Sequence, residues 1–193
     1  MNRAQLEHVL RAAATIVDDP GLLVIGSQAI LGAYAEDLLP VEATTSIEAD
    51  LAFCIDPDGA KADRVDGAIG ELSRFHEKHG YYAQGVSVTT AVLPAGWEAR
   101  TIEFATPGAA PARARCLEPH DCVVAKLVAG RQKDRAFAAA LIRECLVVPE
   151  VLIDRIRALY GVDARVIERL QAWVRHRARG PLLAPPVDTL TPG

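Results

Sequence analysis

Glu48 and Asp50 stand one residue apart inside an otherwise apolar run, Ile47-Glu48-Ala49-Asp50-Leu51-Ala52-Phe53, and that spacing restricts what the chain can fold into. In an extended strand residues i and i+2 share a face, so both carboxylates project together from an element whose other side chains belong in a core. Like charges held side by side raise each other's cost of ionisation. A divalent cation removes that cost, and the hard oxygens of carboxylates suit Mg²⁺. Upstream, Leu22 to Ile25 reads as a buried strand that ends in Gly26-Ser27, and a helix capped by Ser27 is expected to run to about Asp37. Free backbone N–H groups and a positive dipole end at such a turn can receive a triphosphate. Ser27 carries two readings: a plain N-cap, or an N-cap whose hydroxyl and following amides also touch phosphate.

The remaining periodicities place these two strands in a larger plan. Leu6, Val9, Leu10, Ala13, Ile16 and Val17 recur at three-and-four spacing, which predicts a first helix over 3–17 closed by Asp18-Asp19-Pro20-Gly21. Asp56-Pro57-Asp58-Gly59 is a turn signature, so Asp56 and Asp58 read as turn acids. A helix is expected over 61–78, a β-branched strand over 81–93 and an alternating strand over 100–104. From Pro119 onward the pattern is helical, with breaks near Val148-Pro149 and Gly161. The expected class is α+β, with an α/β N-terminal half: a mixed sheet domain flanked by helices over 1–118, a helical domain over 119–180 and a Pro-rich tail over 181–193.

Charge sorts along the chain more than its net value of −4 suggests. Residues 1–63 hold eleven acids against three basic residues, whereas 151–180 hold seven arginines against Asp154, Asp163 and Glu168. The second region either faces an anionic partner or is a solvated helical surface. The four cysteines form no CxxC pair, and Cys116-x3-His120-x-Cys122 matches no standard zinc spacing. With no signal-peptide pattern and no apolar run of membrane-spanning length, the expected location is the cytoplasm, without membrane contact.

Two further places could carry chemistry. Glu103, flanked by Ile102 and Phe104, is either a solvent-facing strand residue or a third acid beside Glu48 and Asp50. In the second case three carboxylates could hold two Mg²⁺ ions for in-line phosphoryl transfer, one on the triphosphate and one on the attacking hydroxyl. Over 119–142, a helical projection puts Gly130, Arg131 and Asp134 on the apolar stripe, with Lys126 and Lys133 along its edge. Polar residues on a buried face mark functional sites more often than ordinary core. The alternative is a structural Arg131–Asp134 pair at i,i+3, with Gly130 at a break between helices.

The Gly26-Ser27, helix, Glu48-x-Asp50 arrangement resembles the polymerase-β-like nucleotidyltransferase superfamily, although Glu48 stands where Asp is usual. The stretch Val124-Ala125-Lys126-Leu127-Val128-Ala129-Gly130-Arg131-Gln132-Lys133-Asp134 is similar to the helix motif of its AbiEii and MenT branch, toxins paired with an antitoxin. The resemblance implies a nucleotidyltransferase-like mixed sheet and an Mg²⁺-dependent transfer of NMP from an NTP to an RNA acceptor, the tRNA 3′ end foremost. By the same resemblance Glu48 and Asp50 would bind metal, with Glu103 as the possible third ligand. Gly26, Ser27, Arg131 and Lys133 would hold the nucleotide, and Lys126 and Asp134 would join the acids in catalysis. The implied partners are an NTP, an RNA and a cognate antitoxin protein. A small-molecule or protein hydroxyl as acceptor, or a non-catalytic nucleotide-binding module, are the alternatives.

Overall fold

The computed structural model describes residues 1–179, so the expected tail over 181–193 lies outside the described residues. A five-stranded mixed sheet carries the fold, in the order β3-β2-β1-β5-β4. Its strands are β1 (Gly21–Val24), β2 (Glu48–Phe53), β3 (Tyr82–Gly85), β4 (Ile102–Phe104) and β5 (Arg113–Cys116). β1 runs antiparallel to β2, with Val24 opposite Leu51, and parallel to β5, with Val24 opposite Cys116. β2 and β3 are parallel, which sets Asp50 opposite Gln84. β4 closes the far edge antiparallel to β5. One face of the sheet, which includes Leu22, Val24, Ala49, Leu51, Ala114 and Cys116, is buried.

Helices α1 (Arg3–Val17), α2 (Val41–Thr44), α3 (Ala60–Ile69), α4 (Arg74–His79) and α5 (Trp97–Arg100) accompany the sheet, and α6 (Pro119–Ala129), α7 (Gln132–Arg143), α8 (Pro149–Arg157) and α9 (Ala164–Ala178) follow it. The first helix has the expected extent, buries Leu6, Val9, Leu10, Ala13, Ala14 and Val17, and starts with a capping box between Asn2 and Gln5. Buried apolar side chains run without interruption from α1 and the sheet into α6, α7, α8 and α9, ending at Leu170 and Val174. Asp56 and Asp58 are turn acids, as expected: their carboxylates accept the amides of Lys61, Ala62 and Ala60 that open α3. Among the described residues no helix is long and apolar enough to cross a membrane.

Four expected elements take a different form, each for a local reason. Instead of a helix over 27–37, Ser27–Gly32 is a 3-10 turn, a second 3-10 turn covers Glu36–Leu38, and α2 follows. Gly32 is pressed against β5, where an added Cβ would lie 2.6 Å from that of Cys116. Short 3-10 pieces fit such a tight space better than a full α-helix. The helix expected over 61–78 splits into α3 and α4 at Gly70, where an added Cβ would meet the carbonyl oxygen of Asp66 at 2.1 Å. After Gly85 the strand expected over 81–93 gives way to a 3-10 turn over Val88–Thr90, where the Thr89 amide donates to the Ser87 hydroxyl at 3.2 Å. Finally, the helix expected across 119–142 breaks at Gly130, in the left-handed region at φ 71°, so that α6 and α7 are separate.

Candidate active site

The site forms where three connections meet β2. The amide of Ile25 donates to the carbonyl of Asp50 at 3.1 Å, which brings the end of β1 beside the acidic strand. Gly26 then passes so close that an added Cβ would sit 1.7 Å from Asp50 Oδ2. Only a residue without a side chain leaves room for that carboxylate. Gly26, not Ser27, is the N-cap of the following turn, and Ser27 makes no side-chain capping bond. The expected capping role therefore passes to the neighbour, because the chain is still extended at Gly26, and Ser27 is left with its hydroxyl lining a cleft.

That cleft has a volume of about 250 Å³. Glu48 and Asp50 form one wall, Ser27, Thr45 and Ser46 the adjoining rim, and Lys126, Arg131, Lys133, Asp134 and Phe137 the opposite wall. Glu42 and Gln84 complete the lining. Seven of the residues singled out in the sequence thus converge: Ser27, Glu48, Asp50, Lys126, Arg131, Lys133 and Asp134, with Gly26 directly behind Asp50. Glu103 does not join them. It is exposed on β4, opposite Arg115 of β5. Three strand spacings separate β4 from β2, on the order of 14 Å, so Glu103 is the solvent-facing strand residue of the two readings. Among the described residues no group of three or more His, Cys, Asp or Glu side chains is placed to hold a metal, and the cysteine–histidine stretch is no exception. Burial instead pushes the thiols of Cys116 and Cys122 up to about 12.

Electrostatics divides the two walls. Burial first, then the charge of Asp50, pushes the Glu48 carboxyl above its ordinary value, while Lys133 and Lys126 pull the other way. Tyr82, paired in register with Glu48, is pushed up to about 12 by burial and by the nearby acids. Among the described residues neither Glu48 nor Asp50 takes part in an ion pair. Two adjacent, partly buried hard-oxygen donors that lack a cationic partner, with Gly26 shaped around one of them, fit a divalent cation.

Asp134 is fully engaged. Arg131 grips it through Nε at 2.7 Å and Nη2 at 3.2 Å, its backbone amide reaches the same carboxylate at 3.3 Å, and Lys126 Nζ stands 3.6 Å away. Burial opposes ionisation of Asp134, but these hydrogen bonds and charges outweigh it and hold the carboxyl below its usual range. The structural i,i+3 pair and the break at Gly130 are therefore both present, and they sit in the cleft wall. Arg131 is 57% exposed and not buried as the projection had it, because the break at Gly130 resets the helical phase. Gln84, Glu42 and Phe137 escaped the sequence reading. Gln84 belongs to the site only through the parallel pairing of β3 with β2, for which local sequence carries no signal.

Comparison with known proteins bears on this geometry at one point. No curated protein and no solved structure matches the chain. A family model described as "Nucleotidyltransferase of unknown function (DUF6036)" matches residues 4–174, which takes in every strand of the sheet and all of the cleft-lining residues. The chain thus belongs to that family of nucleotidyltransferases.

Proposed function

We propose that the protein is an Mg²⁺-dependent nucleotidyltransferase that moves NMP from an NTP to an RNA acceptor, foremost the tRNA 3′ end, and acts as the growth-inhibiting toxin of a toxin–antitoxin pair. One observation carries the chemistry: an acid pair without a cationic partner on β2 faces a cationic wall from α6 and α7 across a narrow cleft. Asp50 and Glu48 would hold the metal, which when bound supplies Lewis-acid polarisation of the phosphates. Gly26 keeps Asp50 in place, and the Ser27 hydroxyl and the amides opening its turn are available to the β- and γ-phosphates. Lys126, Lys133 and Arg131 offset charge on the triphosphate, and Asp134 positions Lys126 and Arg131. The acceptor oxygen bonds to the α-phosphorus, the bond to the β-phosphate oxygen breaks, pyrophosphate leaves and the hydroxyl proton passes to water.

A polyanionic acceptor is favoured by what lies next to the cleft. A second hollow of about 540 Å³ shares Glu42 with it and is lined by Arg135, Arg143 and Arg177. The arginine-rich stretch expected over 151–180 contributes unevenly. Arg155 and Arg157 turn to Asp121 and Asp154, whereas Arg177 reaches the hollow. Phosphate contacts of this kind weaken steeply with salt. The toxin role and the antitoxin partner rest on the likeness of residues 124–134 to the AbiEii and MenT motif.

Incubation with labelled NTPs, Mg²⁺ and total RNA tests the proposal, with growth on induced expression as the companion readout. Label in tRNA that vanishes with Asp50→Ala supports it. Label in protein or in a small metabolite instead would move the acceptor to those classes, and NTP binding without any transfer would make the protein a non-catalytic module.

A further inference from the structure

We propose that the cleft takes a single divalent cation, on Glu48 and Asp50, and that Lys126 and Lys133 supply the positive charge that a second ion would bring. This rests on the reading of the cleft as a nucleotidyl-transfer site and departs from the two-ion arrangement that a third carboxylate would permit. Paired-metal sites hold their ions about 3.5–4 Å apart, which requires ligands beyond one shared pair of carboxylates. The place from which such a ligand would come is the neighbouring strand, level with Asp50. Gln84 stands there, in parallel register with Asp50 and lining the cleft, and its amide carries no charge.

The other carboxylates of the cleft are committed elsewhere: Glu42, at its edge, pairs with Arg143 at 3.4 Å. Asp134 is 1% exposed and holds Arg131 in a two-toothed grip with Lys126 beside it, so recruiting it to a metal would strand both cations. Glu103 is three strands away. Two carboxylates without a cationic partner, Glu48 and Asp50, thus face two ammonium groups across the cleft. One dication balances the acid pair, and a second would meet Lys126 and Lys133 with no uncommitted carboxylate to hold it. Mg²⁺ is commonly held by one or two carboxylates together with substrate phosphates and water, a demand this wall satisfies.

Electron paramagnetic resonance of Mn²⁺ bound to the full chain, with a non-hydrolysable α,β-methylene NTP analogue, reads the number of ions without relying on turnover. The wild-type protein should give one isolated bound ion per chain, absent from Asp50→Asn. Gln84→Glu should give the spin-coupled signal of a close pair. A coupled pair in the wild type would overturn the single-ion inference while leaving nucleotidyl transfer intact. One isolated ion in both the wild type and Gln84→Glu would overturn the role assigned to position 84. Should neither protein hold Mn²⁺ more firmly than Asp50→Asn does, the nucleotidyl-transfer reading fails, and the single-ion inference fails with it.

Discussion

Asp121 and the Glu48–Asp50 pair are all carboxylates withdrawn from water, and the protein treats them in opposite ways. Asp121, fully buried at the start of α6, accepts two hydrogen bonds from Arg100 at 2.7 and 3.0 Å, with Arg155 Nε 3.4 Å away. Its charge is answered in full by side chains from α5 and α8. Glu48 and Asp50 lie side by side with cations across the cleft but none in contact, and one of those, Lys126, leans toward Asp134. The fold thus pairs one buried acid completely and, among the described residues, leaves two adjacent acids without a cationic partner. The sites also differ in strain. Asp121 relieves its burial with arginine, whereas at Glu48 burial and Asp50 together oppose ionisation.

Substitutions should separate the two regions sharply. Asp50→Asn is expected to lower nucleotidyl transfer by at least about 100-fold, since a ligand to the cation is worth several kcal/mol in the transition state. Thermal unfolding should hardly change. Asp121→Ala should do the reverse. It leaves two arginines around an emptied buried position, at a cost of about 3–5 kcal/mol in urea unfolding, with little loss of activity per folded molecule. Gly26→Ala tests how the regions are built, because the new methyl would occupy the space of Asp50 Oδ2. A loss of activity approaching that of Asp50→Asn, with metal affinity lowered in parallel, is the expected result. Gly67→Ala, in open space on α3, serves as a control that should be slightly stabilising, by about 0.5–1 kcal/mol.

The smallest effect is one of pH. Glu48 has its carboxyl pushed up in the folded chain, so its contribution to metal-free stability is fully present at low pH and is lost as pH rises through that raised value. Asp134 is held below its ordinary range, and its contribution is present above that range and is lost as pH falls through the depressed value. In chelator, Glu48→Gln should therefore melt higher than the wild type near neutral pH, and the gap should close as pH falls into the carboxylate range. Added Mg²⁺ should raise the wild-type melting temperature and narrow the same gap. Differential scanning calorimetry across pH, with and without metal, measures both.

How far this comparison was legible in the sequence follows from the range of the interactions. The acid pair was visible because the two-residue period of a strand alone puts Glu48 and Asp50 together. The Arg131–Asp134 pair was visible because i,i+3 neighbours meet on any helix, although the phase was misjudged where Gly130 restarts the helix. Asp121 drew no attention, since its partners Arg100 and Arg155 lie 21 and 34 residues away and reach it only through tertiary packing. Gln84 and Glu103 show the same limit from both sides. Each is a polar residue in a short strand, and only the strand order decides that one faces Asp50 and the other lies at the far edge. Between Ser27 and Asp37, local propensity favoured an α-helix, and the close approach of Gly32 to Cys116 selected 3-10 turns instead.

The most direct measurement follows the phosphates. Purified protein is incubated with Mg²⁺ and RNA, once with NTP labelled at the α-phosphate and once with NTP labelled at the γ-phosphate. If Glu48 and Asp50 form a nucleotidyl-transfer centre, the α-label becomes covalently attached to the acceptor, the γ-label appears only in released pyrophosphate, and both signals disappear with Asp50→Asn. Attachment of the γ-label, or α-label incorporation unchanged by Asp50→Asn, would contradict it.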